Sequence, residues 1–356
     1  FDKSSSSKIQ THLAKLQKNK KRRKPEGTAA EALNDHPMKI DGHVHFVGDG
    51  SNGSGCWLRS STLLDRIIEP VVKAQAGILK SSRQLGVDQA YEERLIGLID
   101  SSSLDAVLLL AMDYPYDPSG NCLKHKAKFY VPNDHVLSLA KKYSQIIPAC
   151  SIHPARKDAI EELERCAEQG AKVLKLLPNC HNVDCSDIQY QPFWEKLSKL
   201  GMLFLAHTGG EFSVPVLNAK FADPRILRLP LECGVKIIAA HGAGKSGILD
   251  PDYTTDLLKM MDQFSNLFTD NSALASPNRW RTIHALLDPK IQSRVIHGSD
   301  FPIPSGGFGP WMGNLLSRAD YFKSRKINNP LERDVIIKQA VGFKQSTFSR
   351  LADIIS

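Results

Sequence analysis

The sequence predicts a (β/α)8 TIM barrel on three observations. Eight short, apolar, β-rich runs recur between residues 38 and 297, and a helix-forming stretch follows each. Two of them, 107–110 and 235–239, are almost continuously apolar, as strands buried on both faces are. An open doubly wound sheet would instead want a glycine-rich phosphate loop after its first strand. Residues 48–55 are rich in glycine but lack Gly-x-Gly-x-x-Gly and do not lead directly into a helix.

Taken in order, residues 1–37 read as a basic N-terminal extension and 38–356 as the barrel domain with its C-terminal helices. Within the extension, Ser4 to Ser7 could cap a short helix with Ile9, Leu13 and Leu16 on one stripe; Pro25 and Gly27 then interrupt regular structure. The strands are expected at 38–45, 105–112, 146–152, 171–177, 203–207, 235–241, 266–269 and 294–297. Helices are expected at 63–85 with 91–99, then 133–143, 158–169, 192–200, 223–232, 253–263 and 278–287. Beyond the eighth strand, 311–322 and 331–355 read as helices that close the barrel.

The chain has 356 residues, 42% hydrophobic and 24% charged, the profile of a water-soluble globular domain. No apolar run approaches the ~20 residues of a membrane span, and no secretory apolar stretch precedes the first strand. Seven cysteines without paired short spacings suggest free thiols and a cytoplasmic setting. The net charge of +8 comes from the extension: residues 1–24 hold nine Lys/Arg and one acid, which leaves 37 of each sign in the rest. A neutral body argues against nucleic acid as the partner of the domain. The tail is either a solvated segment or an arm that docks on a partner subunit or an acidic surface, and a homo-oligomer is expected.

Catalytic groups of such barrels stand at the C-terminal ends of the strands. Strand one ends in Asp41-Gly42-His43-Val44-His45, where alternation puts His43 and His45 on one face, half of a metal site. Strand four carries Lys175 in Lys175-Leu176-Leu177-Pro178. Strands five and six end in Ala206-His207-Thr208-Gly209 and Ala240-His241. Strand eight runs into Gly298-Ser299-Asp300-Phe301-Pro302. Each histidine alone could be an ordinary buried one, and Asp300 a helix cap. Together they form one convergent set of imidazoles and a carboxylate, which suits zinc, manganese or iron.

From residue 38 to the C-terminus these motifs resemble the amidohydrolase superfamily, and within it the second amidohydrolase family of metal-dependent hydrolases and decarboxylases. The resemblance implies that His43, His45, His207 and Asp300 are metal ligands, with Asp300 also the proton shuttle. It implies that His241 is a second-metal ligand or an electrophile facing the substrate. Lys175, in an apolar run, is expected to lose its charge readily. The neutral amine can then take up carbon dioxide as a carbamate bridging two ions; Lys172 competes for this role from the strand's start. Two ions, most simply zinc, are favoured over one. The expected reaction is hydrolysis of an amide, lactone or ester carbonyl by activated water, with Asp300 as general base and acid. Decarboxylation or hydration of an unsaturated acid on a single metal is the alternative.

The substrate is expected to be a small molecule, and a carboxylate would suit the arginines near the strand ends. Arg59, in the first loop with Trp57, could cover the pocket. His153 and His181, after strands three and four, either face the substrate or are structural. Arg279 follows strand seven beside Asn271 and Arg281 and could clamp a carboxylate.

Overall fold

The structure is a computed structural model that describes residues 37–59, 70, 73–74, 76–247 and 250–355. The basic extension with its expected helix, and ten residues of the helix expected over 63–85, lie outside the described residues. Eight parallel strands follow one another around the barrel in chain order: β1 Ile40–His45, β2 Ala106–Leu110, β3 Ile146–Cys150, β4 Val173–Leu176, β5 Leu203–Ala206, β6 Ile237–Ala239, β7 Leu267–Asp270 and β8 Val295–Ile296. Every expected strand is present; seven are trimmed, and β7 starts one residue later and runs one residue further, to Asp270. The ring closes just past β8: Val44 bridges Phe301 in parallel, and Asp300 N donates to His43 O at 2.8 Å.

Alternation sorts the apolar side chains into two cores. Ala106, Leu108 and Leu110 of β2, Leu203 and Leu205 of β5, and Ile238 of β6 fill the barrel interior, with Leu351 of the last helix plugging one end. Val107, Leu109, Leu174, Phe204 and Ile237 face outward into a larger layer beneath the helices. The helix Ala159–Glu168 shows how the outer layer is made: Ala159, Leu163 and Cys166 are buried, and Glu161, Glu162 and Arg165 complement its dipole.

One departure from regular alternation matters for the site. Ile40 belongs to the interior core and Val44 to the outer one. A regular strand would then turn His43 and His45 outward with Ile40's opposite face. The β1–β2 register slips between Asp41 and Val44, and this irregularity lets Ile40, His43 and His45 all point inward.

Several expected helices are broken. The stretch 311–322 forms two, Phe308–Met312 and Arg318–Ser324, because Asn314 takes a positive φ and Ser317 starts a new cap on Asp320 N. The stretch 331–355 also forms two, Pro330–Ala340 and Gln345–Ile355, separated at Gly342, whose φ is 111°. Residues 223–232 and 278–287 begin as 3-10 turns before becoming α-helical. A two-stranded antiparallel sheet that the sequence does not announce pairs Trp57–Leu58 with Phe129–Tyr130. The seven cysteines are unpaired. Among the described residues no helix is long and apolar enough to cross a membrane.

Candidate active site

At the C-terminal ends of the strands a cavity of about 480 Å³ opens, with His45, Lys175, His207, His241, Arg279 and Asp300 in its wall. Among the described residues one group of three donors could hold a cation: His43, His45 and Asp300, whose ligand atoms lie within 4.8 Å of one another. Asp300 Oδ1 is 3.4 Å from His43 Nε2 and 3.2 Å from His45 Nε2. The chain reaches this position through Gly298, where a Cβ would stand 2.7 Å from that of His43, so only glycine lets the β8 turn pass so close. Asp300 itself sits at φ 64°, and His241 at φ 61°; both turn into the cavity from left-handed backbone that non-glycine residues seldom adopt.

Hydrogen bonding fixes which imidazole nitrogens carry protons. His43 Nδ1 lies 2.8 Å from Asp270 Oδ2, at the end of β7. Burial alone would raise the Asp270 carboxyl, but the His43 ring, His241 and Ser272 outweigh it and hold Asp270 well below the usual range. It can only accept, so His43 carries its proton on Nδ1 and offers a lone pair at Nε2. Burial, with Lys175 beside it, pushes His43 down to about 4, so the ring is neutral at physiological pH.

The same reasoning applies to the other pair. His241 Nδ1 faces Ser272 O at 3.1 Å and Ser272 Oγ at 2.8 Å. The carbonyl cannot donate, so Nδ1 is protonated. His207 Nε2 faces Gly210 O at 3.2 Å and Glu211 Oε2 at 3.4 Å, so it too is a donor. What remains is His241 Nε2 and His207 Nδ1, two lone pairs 3.1 Å apart. Burial depresses both rings well below their ordinary value, so neither supplies a proton between them.

The polar floor is therefore a set of acceptors aimed at one another: lone pairs on His43, His207 and His241 and the Asp300 carboxylate. Such a set is stable only around a cation, and its chemistry fits a divalent metal. The cation now among them is Lys175, whose Nζ is 3.3 Å from His43 Nε2. Burial lowers the Lys175 ammonium to about 8, against the pull of Asp270, Asp300 and Glu211. Lys172, its rival for this position, is exposed.

Asp270 and Ser272 are not among the expected site residues. Asp270 Oδ1 accepts from His241 N at 2.7 Å, from Ser272 N at 3.1 Å and from Ser272 Oγ. One carboxylate thus orients His43 directly and His241 through Ser272. The signal lies in Thr269-Asp270-Asn271-Ser272, but a strand expected to end at Thr269 leaves Asp270 off the rim.

The expected substrate contacts divide. Arg279 is buried in the cavity wall; Nη2 donates to Gly210 O at 2.6 Å, and Nη1 has no hydrogen-bond partner. Gly210 is needed where it is, because a Cβ there would collide with Asp250. Arg59 lines the mouth and bonds His125 O at 2.6 Å. His153 and His181 are not in the cavity wall. His153 Nε2 faces His181 O and its Nδ1 accepts from Ala155 N; His181 Nδ1 accepts from Leu177 N and its Nε2 lies against Met112 Sδ. The short helix Pro178–His181 turns the second ring down onto Met112, so both act as internal braces. Arg281 stacks on Trp280 at 4.8 Å, and Asn271 holds Gly298 N at 3.1 Å.

Fold and site together define a barrel enzyme with a candidate cation site. Residues 40–325 match the Amidohydrolase family profile, and the chain belongs to that family. Among solved structures, an uncharacterized TIM-barrel protein from Bordetella bronchiseptica is similar over 85% of this chain and 99% of its own, at 16% identity and a TM-score of 0.54. A probable 2-pyrone-4,6-dicarboxylic acid hydrolase from Acinetobacter baumannii, with citric acid bound, is similar over 86% and 99%, at 14% identity and a TM-score of 0.51. A 5-carboxyvanillate decarboxylase from Sphingomonas paucimobilis covers 88% and 99%, at 14% identity and a TM-score of 0.44. No curated protein sequence matches the chain.

Proposed function

We propose that the protein is a metal-dependent hydrolase that adds water to an amide, lactone or ester carbonyl. The observation that carries this reading is the floor of lone pairs and carboxylate, with His43 Nε2, His207 Nδ1 and His241 Nε2 turned inward and Lys175 beside them. A divalent cation held by His43, His45 and Asp300 would polarise the carbonyl and lower the pKa of water toward ~7. Zinc suits the donors best, with manganese or iron as chemically acceptable substitutes.

The chain's own groups do the rest. Burial would raise Asp300, but His43, His45 and Arg279 hold it well below the usual carboxylate range, so it is ionised and can accept the proton of the attacking water. As the carbonyl carbon–heteroatom bond breaks, the same carboxyl returns that proton to the departing nitrogen or oxygen. The unengaged Nη1 of Arg279 is available to a carboxylate on the substrate. His207 and His241 would take a second ion, with Lys175 as a carbamate between the two. The buried amine, lowered to about 8, supports that modification.

A second reading has its own support. Lys175 as an ammonium against His43 Nε2 leaves room for one ion, and the site would then suit decarboxylation or hydration of an unsaturated acid. Protein purified with bicarbonate and excess zinc or manganese decides between them by metal per chain and intact mass. Two ions and a carboxylated Lys175, with EDTA-sensitive turnover of an ester, lactone or amide, are expected. One ion on an unmodified lysine moves the decarboxylase reading to first place. Full activity after metal removal overturns both.

A further inference from the structure

The cavity does not end at its polar floor. Exposure rises from 2% at His207 and 1% at Lys175 to 72% at Phe212, so the floor is deep and Phe212 stands at the mouth. Between them an apolar strip runs along the wall, Leu58, Phe129, Val214 and Ile303 leading to Phe212, with Arg59, Lys128 and Glu211 at its margin. We propose that this outer wall is a subsite for a hydrocarbon tail, and that the substrate is a carbonyl compound carrying an acyl or alkyl chain beside its reacting group. The proposal rests on the hydrolase reading for the identity of that group, but the subsite itself is tested without turnover.

The apolar wall is built, not incidental. Leu58 and Phe129 are opposed in the register of the two-residue sheet, so their side chains share a face. That face is the one in the cavity wall. Trp57 and Tyr130, the other opposed pair, turn the opposite way onto Tyr114: Tyr130 stacks on it at 4.2 Å, and Trp57 stacks at 5.8 Å and donates its indole N–H to the phenol oxygen at 2.7 Å. Alternation over two residues thus separates an anchoring aromatic face from a face left to the cavity.

The opposite lip is the loop after β5. Glu211 folds it by accepting from Ser213 N and, at 3.0 Å, from Val214 N, which presents Phe212 and Val214 to the same cavity. Lys128 Nζ reaches Ser213 O at 3.4 Å, and Arg59 N donates to Lys128 O at 2.7 Å, so sheet and loop are tied into one rim. Ile303 with Pro302 and Pro304, after β8, completes the wall next to Asp300. A substrate whose carbonyl meets Asp300 can run its remaining atoms along this surface. An exposed phenylalanine and half-buried aliphatic neighbours gain by covering hydrocarbon.

The test is binding of n-alkanoates, from acetate through butyrate, hexanoate and octanoate, to the metal-loaded full-length protein by calorimetry. Each buried methylene is expected to tighten binding about fourfold until the tail fills the wall. Phe212→Ser and Leu58→Asn are expected to flatten that series while leaving acetate affinity as in the wild type. Phe212 is exposed, so its replacement leaves folding intact and the result interpretable. A flat series in the wild type, or an unchanged slope in Phe212→Ser combined with Leu58→Asn, overturns the subsite. Turnover of a short-chain ester is read separately: its absence alongside a steep alkanoate series would reject the hydrolase reading and keep the tail subsite.

Discussion

Replacing Asp270 with asparagine is expected to move a proton across the site without changing its shape. The two oxygens of Asp270 have different duties. Oδ1 receives three donors, His241 N, Ser272 N and Ser272 Oγ, while Oδ2 receives one, His43 Nδ1–H. Two of the three donors at Oδ1 are backbone N–H groups that cannot reverse, so the asparagine carbonyl must take that position. Its NH2 then stands where Oδ2 was, facing His43 Nδ1 at 2.8 Å in the present geometry. Two N–H donors cannot share that contact. His43 is forced into the other neutral tautomer, with its proton on Nε2, and the lone pair beside Asp300 and His45 disappears.

Loss of such an orienting carboxylate weakens metal binding by about 10–100-fold, or ~1.4–2.7 kcal/mol. The upper end suits this case, because Asp270 and His43 are both about 1% exposed and water cannot substitute for the carboxylate. The assay is competition for zinc against a chromophoric chelator, with circular dichroism to confirm the fold. Nitrogen-15 shifts of the His43 ring in metal-free protein report the tautomer directly. Wild-type zinc affinity in a folded D270N protein, or an unchanged His43 tautomer, would refute the reasoning.

The same geometry carries three further outcomes. Asp300→Asn keeps the volume but cannot accept a proton, so turnover should fall by ~10²–10⁴ with metal still bound; wild-type turnover in the loaded variant would place the proton elsewhere. Lys338→Met should destabilise the barrel by ~3–5 kcal/mol, because Lys338, itself buried, neutralises buried Asp334 at 2.5 Å and grips Gly298 O at the start of the Asp300 turn. Urea unfolding of K338M and of K338M combined with D334L checks this, the double variant regaining most of the loss. Acidification should destabilise metal-free protein below pH 6.5. Burial holds His43 at about 4, His153 and His181 at about 3, and His207, His241 and His297 well below 6.5, so the unfolded chain takes up protons that the folded one refuses. That stability is complete above 6.5 and is lost as pH falls toward the folded values. Asp41, raised by burial to about 7, opposes it, as do Asp113 and Asp334, each releasing at most one proton on unfolding. Six groups against at most three leave a net uptake of at least about two protons near pH 5.5, or at least ~3 kcal/mol per pH unit. Urea midpoints at pH 7 and 5.5 in EDTA measure it, and a higher midpoint at 5.5 would contradict the assignment of neutral histidines.

The sequence reveals what is local and conceals what depends on partners far along the chain. His43, His45, His207, His241 and Asp300 were legible because each ends a run of strand-forming residues, and barrel geometry brings strand ends together. Lys175 was legible because a lysine inside the apolar run Val173–Leu176 is costly to bury as a charge. Asp270 was missed because its meaning lies in His43, 227 positions earlier, and a strand ended one residue short hides it. His153 and His181, read as either substrate-facing or structural, could not be resolved for the converse reason: they come after strand ends, but His181 lies against Met112 and His153 against the His181 carbonyl. Lys338 shows the limit most sharply. A lysine in a C-terminal helix reads as a solvated charge, since Glu332 and Arg333 precede it in the same helix. Its burial makes sense only once Asp334, one turn earlier, and the Gly298 carbonyl are placed on the same side. Asp334 also accepts from Ser305, so the ion pair holds both ends of the segment that carries Asp300. The positive φ of Asp300 can persist because that segment is held at Gly298 and Ser305 from outside the barrel, as well as at His43 from within. The candidate base is therefore positioned as much by a helix remote from the cavity as by the strand on which it was recognised.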